Sequence, residues 1–428
     1  MRRLLLPIAA LLLSDAFLLV GHGLQLTLLP LRANLEGFTD AEVGFTGSAY
    51  FVGFVVGCIL TPHAVQRAGH IRSFAVLASG FSALVLMFSL LPNFWFWLAL
   101  RAFTGACIAG LYMIIESWLN ERATRETRGT VLSVYTIINL SMIVAGQQII
   151  NLADPSADTL FAISAILISV AIIPVSLTRA LAPPPLHAVR VNLRAVWRMS
   201  RVGVGGAIAS GLVAGAFWSL MPVYARGVGL DVYGLTTLMS AMVLGGALFQ
   251  YPLGKLSDRY DRRLVLLWAA LFGALVSALL ANLGAGGGWT LTALAFLLGG
   301  STMTMYAICL AHANDRAEPT DFVMVGTSIL MLHGGACAVG GPLASIGMEL
   351  LGPGGMFVVI ALVLLVLAVG ILRRRSTHYL PVLDSTEPFR ALGDITPAAL
   401  EMDPRTEAPA TPAPDADPDA ETLRRDVA

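Results

Sequence analysis

The sequence predicts an all-α membrane protein, with twelve transmembrane helices in two pseudo-symmetric six-helix bundles. Three observations predict it. The 428-residue chain is 56% hydrophobic and 13% charged, with a mean hydropathy of +0.76. A water-facing domain carries about 25% charge, so most of this surface meets lipid. Arginines crowd into every second loop and are nearly missing from the others, and segments 192 to 194 residues apart resemble one another.

A membrane span needs about 20 mostly apolar residues. Twelve stretches qualify, at roughly 5–29, 42–62, 73–92, 94–118, 129–151, 159–180, 203–224, 235–254, 264–284, 289–312, 322–348 and 354–372. The first follows Met1, Arg2 and Arg3 and stays apolar to Leu31 without a small-residue cleavage site, so it reads as an uncleaved helix. The N-terminus and alternate loops carry Arg2, Arg3, Arg67, Arg72, Arg122, Arg125, Arg128, Arg179, Arg190, Arg194, Arg198, Arg201, Lys255, Arg259, Arg262, Arg263, Arg316, Arg373, Arg374 and Arg375; the remaining loops hold only Arg32 and Arg226. Basic loops stay in the cytoplasm, which predicts a bacterial inner-membrane protein with both termini inside and an even number of spans.

The organisation expected is a first bundle at 1–180, a basic linker at 181–202, a second bundle at 203–375 and an acidic, Pro/Ala-rich tail at 376–428. Pro183, Pro184 and Pro185 end the sixth span. Arg190, Arg194, Arg198 and Arg201 then recur at three to four residues around Leu193, Val196 and Trp197, the pattern of a short amphipathic helix on a lipid surface or of a solvated linker. The tail has too little apolar area to fold and is expected to be disordered.

The halves are repeats. Gly23, Thr27, Pro30 and Ala33 align with Gly215, Ser219, Pro222 and Ala225, and Gly105, Tyr112 and Asn120 with Gly299, Tyr306 and Asn314. Two similar bundles imply an axis along the membrane normal and a site at their interface that rocking opens to either side. The loop Gly254-Lys255-Leu256-Ser257-Asp258-Arg259-Tyr260-Asp261-Arg262-Arg263 resembles the signature of the major facilitator superfamily, departing from it at Asp261, where that pattern has Gly. The first copy keeps Arg67, Gly69 and Arg72 but has Pro62 and Gln66 at two signature positions. The segments Leu98 to Ala106 and Ile115 to Leu119, with Gln250 to Arg259, are similar to the YcaD-like branch of that superfamily. The resemblance implies a secondary transporter of the major facilitator fold, with helices one, four, seven and ten lining its cavity. It also implies a cytoplasmic gate built from Arg67, Arg72, Asp258, Arg259 and Arg262, with Asp258 expected near the N-terminus of the ninth helix, where the dipole favours a carboxylate.

Charges inside hydrocarbon are costly, so Asp15, Arg101 and Glu116 are the leading candidates for a substrate or proton pathway. Asp15 and Arg101 are expected at similar heights, within reach of an ion pair. Arg101, Gly105, Ile108, Tyr112 and Glu116 share one helical face. His22, seven residues after Asp15, joins them as a relay or as a hydrogen-bonded core histidine, and His312 and His333 carry the same two readings. Gln25, Asn139, Gln147, Gln148, Trp218, Tyr224, Thr304 and Tyr306 are candidates for the pocket wall or for bonds between helices. Met303, Met305, Met324 and Met331 read as packing. Cys58, Cys107, Cys309 and Cys337 lack metal-ligand spacing and read as small contact residues.

No phosphate-cradling loop and no nucleophile–base motif is present, which argues against ATP-driven transport and enzymatic catalysis. Zero net charge argues against nucleic acid. The expectation is a monomer, without cofactors, that moves a small molecule by alternating access, either with protons as the coupling ion or by facilitated transport. Competing classes are a sensor or scaffold that retains the fold, with the tail as its output, and an intramembrane lipid enzyme.

Overall fold

The computed structural model describes residues 8–124, 127–177, 191–283, 288–374 and 396–400. Arg2, Arg3, Arg125, Arg179, Arg190, Arg375 and the proline run after the sixth span lie outside them, as does most of the tail. Twelve helices are long and apolar enough to cross a membrane. In the first half these are α1 Ala9–Leu35, α2 Asp40–Ala68, α3 His70–Leu90, α4 Phe94–Arg122, α5 Arg128–Ile149 and α6 Thr159–Ser176. In the second they are α7 Arg201–Gly227, α8 Val232–Arg259, α9 Arg262–Ala281, α10 Gly288–Asn314, α11 Phe322–Leu351 and α12 Gly355–Arg374.

Local chemistry sets the ends. Thr39 and Glu42 form a capping box at α2, and Asn93, Ser200, Asp231 and Asp261 cap α4, α7, α8 and α9 by accepting from backbone N–H groups. Gly69 joins α2 to α3 in a single residue at φ +80°, a conformation a side chain resists. A break at Ala171 divides α6, where Pro174 has no N–H for the Val170 carbonyl. The polar linker forms a helix over Leu193–Met199 that buries Val196 and exposes Arg194, Arg198 and Trp197.

The sequence repeat persists in the helix bounds. Adding 192 to the ends of α1 gives the ends of α7, and adding 194 to the starts of α4 and α5 gives the starts of α10 and α11. Packing partners repeat as well: α1 with α5 and α2 with α4 in one half, α7 with α11 and α8 with α10 in the other. Glycine makes these crossings close. A Cβ at Gly105 would lie 2.0 Å from the Tyr50 carbonyl oxygen, and one at the equivalent Gly299 would lie 1.9 Å from that of Met242. Gly23 meets Ile143 and Gly215 meets Cys337 in the same way. Between lipid-bathed helices such contact replaces the hydrophobic driving force, since lipid tails are as apolar as leucine.

The halves meet mainly through α2 against α11 and α7, α1 against α7, and α5 against α8. The seal lies toward the Arg-poor end. Gly44 lies against Gly341, Arg226 donates to Asn34 Oδ1 at 2.7 Å, and Gln148 Nε2 donates to Ser240 Oγ at 2.8 Å. Arg32, the other arginine of this end, pairs with Glu36 at the end of its own helix at 2.6 Å and ties α1 to the α5–α6 loop by donating to Pro155 O at 3.2 Å and to the Ser156 carbonyl.

Two expectations are corrected. Asp258 ends α8 and does not begin α9; the N-terminal carboxylate of α9 is Asp261, the residue that departs from the signature, accepting from Arg263 N–H at 2.9 Å. Within the tail, residues 397–400 form a helix buried against α4 and α11, because those helices supply the apolar contacts that its own composition lacks.

The crossings yield a stability prediction. Gly105→Ala and Gly299→Ala should each destabilise the protein by about 1–3 kcal/mol through overpacking. Gly80→Ala, where a Cβ meets nothing within 4 Å, should be neutral or stabilising. Thermal unfolding in detergent checks this, and equal melting of all three variants would remove the role assigned to the crossings.

Candidate functional site

A cavity of about 200 Å³ lies between the halves. Eight helices line it: His22 from α1, Tyr50 from α2, Tyr112 from α4, Asn139 from α5, Trp218 from α7, Gln250 from α8, Tyr306 from α10 and His333 from α11. These are four pairs of repeat equivalents. The wall therefore extends beyond helices one, four, seven and ten, because the glycine crossings draw α2, α5, α8 and α11 to the interface. Phe51, Phe54 and Phe217 add aromatic faces to a largely apolar wall, with Thr136, Ser210, Asn139 and Gln250 as scattered polar groups. The regular helix of α10 is interrupted between Thr302 and Met305, and Thr302, Met303 and Tyr306 at this break all reach the cavity. Broken helices beside a central cavity are typical of transporter sites. Met303 thus lines the cavity in addition to packing.

The buried charges form two groups. On the Arg-poor side, Tyr50 is the hub. Its hydroxyl lies 3.1 Å from His22 Nε2, and the Arg101 guanidinium carbon sits 4.6 Å from its ring centroid. Arg101 is 4% exposed, and among the described residues no carboxylate lies within ion-pair distance of it. Tyr50 stands at the cavity wall with Arg101 behind it.

Nearer the Arg-rich end lies the second group. Asp15 and Glu116 are both fully buried. Oriented by its neighbours, the Asn139 amide nitrogen donates to Asp15 Oδ2 at 2.7 Å and to the Tyr135 carbonyl at 3.0 Å. Asp15 Oδ1 has no hydrogen-bond partner. Tyr135 donates its hydroxyl to Glu116 Oε1 at 3.0 Å, and Thr396 of the tail donates its hydroxyl to Oε2 and its backbone N–H to Oε1 at 3.4 Å. The expected Asp15–Arg101 ion pair is not formed. Asp15 is six residues from the Arg-rich end of α1 and Arg101 seven from the Arg-poor end of α4, so they are separated in height by roughly half a helix length. Asp15 and Glu116 are the pair at matching height. Among the described residues no cation lies within ion-pair distance of either, and a carboxylate buried in hydrocarbon without a partner charge is costly.

Of the other candidates, Tyr112, Trp218 and Tyr306 line the cavity, whereas Gln25 is buried outside it. Gln147 and Gln148 join the α5–α8 seal. Tyr224 donates to the Leu283 carbonyl at 3.0 Å and Thr304 to the Gly300 carbonyl at 2.9 Å, both intra-half bonds. His333 bonds Ser210 at 3.1 Å at the cavity wall, while His312 bonds Ser200 at 2.7 Å beside the linker. Arg262 reaches Asp258 at 3.4 Å and Asp315 at 2.7 Å, tying the α8–α9 turn to the end of α10. Beside it, burial, together with repulsion from Arg263, lowers the pKa of the Arg316 guanidinium. Arg67, Arg72 and Arg259 are exposed. Tyr50 and Tyr135 were missed by sequence reasoning; each is an aromatic among aromatics, and only a fold shows that its hydroxyl meets a charged or titratable group.

Twelve spans, two repeated bundles and a cavity between them define a membrane transporter of the major facilitator type. The chain belongs to the Major Facilitator Superfamily, whose profile matches residues 11–204 and again 203–412, once per half. Within it the chain is YcaD-like. An uncharacterised MFS-type transporter of Enterobacter sp. (strain 638) is 28% identical over 381 residues, spanning 88% of this chain and 98% of its own. The uncharacterised MFS-type transporter YcaD of Escherichia fergusonii is 27% identical over 384 residues, with the same coverage. In fold alone, the nucleoside transporter NupG superposes with a TM-score of 0.71 at 13% identity, covering 86% of this chain and 99% of its own. A bacterial homologue of the human lysosomal transporter Spinster, solved inward-facing and unoccupied, gives 0.62 at 11% identity, covering 94% of this chain and 98% of its own.

The Asp15–Asn139 contact is testable. Asn139→Leu leaves a buried carboxylate without its donor and should cost about 1–3 kcal/mol, whereas Asp15→Leu with Asn139→Leu removes both polar partners and should recover most of the loss. Melting temperatures in detergent report this; a double variant no more stable than the single one would contradict the contact.

Proposed function

We propose that this chain is a proton-coupled secondary transporter of the inner membrane, taking a small, uncharged, largely planar solute by alternating access. The observation that carries the proposal is the pair of buried carboxylates, Asp15 and Glu116, beside an aromatic cavity closed at the Arg-poor end. The Arg-rich end is assigned to the cytoplasm by the positive-inside rule, so the conformation reads as closed to the outside. Asp15, with one oxygen unpartnered, is the group through which protons enter and leave, and Asn139, bonded to Asp15 and lining the cavity, is the link to solute. Arg101 sits behind Tyr50, which argues against direct capture of an anion and for a role in fixing Tyr50 and His22. Flat rings suit Tyr50, Tyr112 and Trp218, and hydrogen-bonding edges suit Asn139 and Gln250. Asp258, Arg262 and Asp315 serve the cytoplasmic gate by stiffening one half. Protein of this kind acts as a monomer in lipid and performs no covalent chemistry.

A thermal-shift screen of planar neutral solutes on purified protein comes first, since a ligand bound only by the folded state raises its melting temperature. A hit should be lost in Trp218→Ala. In proteoliposomes of the Leu400→Asp chain, which frees the cleft that the tail fills between α4 and α11, accumulation of that solute should follow an imposed pH gradient, and adding Asp15→Asn should abolish accumulation while leaving solute exchange intact. Accumulation indifferent to the pH gradient would refute proton coupling.

A further inference from the structure

Tail residues 396–400 fill a cleft between α4 and α11 near the Arg-rich end. The segment Thr396-Pro397-Ala398-Ala399-Leu400 is buried at every position. Its polar start is read by Glu116, which accepts from the Thr396 hydroxyl and backbone N–H. Its apolar end packs against α11, where the Leu400 side chain occupies the space beside Gly326; a Cβ on that glycine would lie 2.7 Å from Leu400 Cδ1. Gly326 is eight residues nearer the Arg-rich end than Gly334, where α11 still touches Val55 of α2 directly. Over those eight residues, about 12 Å of helix, the tail takes the place that the opposite half holds at Gly334. Glu116 is one turn from Tyr112, which lines the cavity, so the segment lies on the path from the Arg-rich end to the cavity.

We propose that the α4–α11 cleft is a binding site for a short peptide of the form hydroxyl–Pro–small–small–Leu, occupied by the chain's own residues 396–400, and that this occupant holds the transporter shut. The inference rests on the alternating-access reading above. To seal the Arg-rich end, α4 and α11 must approach each other, and a helical segment between them prevents it. A transporter that cannot seal one end cannot open the other, so the seated tail arrests the cycle. The same segment takes up Glu116, a carboxylate of the proposed proton path. The site is selective at both ends: a residue without a side-chain donor leaves Glu116 a hydrogen bond short, and a charge in place of Leu400 would be buried beside Gly326. The intervening 21 residues, 375–395, span up to roughly 70 Å when extended, ample for the end of α12 to deliver the segment in cis.

The test is a spin-label distance in nanodiscs, between Glu121→Cys at the end of α4 and Glu318→Cys before α11, with Cys107→Ala to remove the partly accessible native thiol. Leu400→Asp ejects the plug without touching either bundle. The full chain should give one long distance. Leu400→Asp should add a population shorter by up to about 10 Å, one helix diameter. A synthetic peptide of residues 392–404 added to Leu400→Asp should restore the long distance, while the same peptide carrying Asp at position 400 should not. Identical distributions with and without Leu400→Asp would overturn the proposal, as would a peptide that restores nothing. Because distance and not flux is read, a shift without any solute transport would leave the plug standing and count against the transport reading alone.

Discussion

The structure depends on close helix crossing at glycine. Apolar burial cannot sort helices that already sit in lipid, so backbone contact at Gly23, Gly105, Gly215 and Gly299 fixes which helices pair and at what height. These crossings also position the site. The Tyr50 carbonyl that meets Gly105 belongs to the residue that organises His22 and Arg101, and Cys337, which meets Gly215, lines the cavity. Repetition of the crossings in both halves is what makes the interface pseudo-symmetric. The charges are not repeated: Asp15, Arg101 and Glu116 all lie in the first half, and the helix break at the cavity lies in α10 alone. The proposed function uses this asymmetry, with the charged half serving protons and the adaptable half serving solute.

The two charged groups divide by height. The Tyr50 group stands on the sealed side and has a cation held by an aromatic face in place of a carboxylate, a contact favoured by desolvation. The Asp15–Glu116 group stands on the side where residues 396–400 pack and has no cation within ion-pair distance among the described residues. Arg101 thus stands apart from Asp15 and Glu116, where a direct ion pair would have fixed their charge permanently, and that separation is what the proposed proton path uses.

The sequence makes the twelve spans, their alternation and the repeat legible because each rests on composition or spacing along one chain. Asp15, Arg101 and Glu116 are legible as costly residues for the same reason. Their pairing is not: placing α1 at 5–29 when it runs Ala9–Leu35 moved Asp15 toward the centre and created an ion pair the fold does not make. Likewise Asp258 and Asp261 are three residues apart, and only the end of α8 decides which of them caps α9. The tail shows the other limit. Residues 376–428 have a composition that does not fold alone, and the helix over Pro397–Leu400 exists through contacts with α4 and α11, which local sequence does not encode.

Alternating access around one cavity requires the seals at the two ends to be mutually exclusive. The direct measurement is a spin-label distance across the Arg-poor end, between Leu152→Cys after α5 and Tyr233→Cys at the start of α8, both exposed and on opposite halves. It is recorded in nanodiscs on the Leu400→Asp chain, whose tail is released, alongside the pair at the Arg-rich end, over a range of pH and with bound solute. The account predicts two populations whose weights move in opposition: the Arg-poor end lengthens as the Arg-rich end shortens. A fixed distance at the Arg-poor end under every condition, or distances at the two ends that lengthen together, would contradict it.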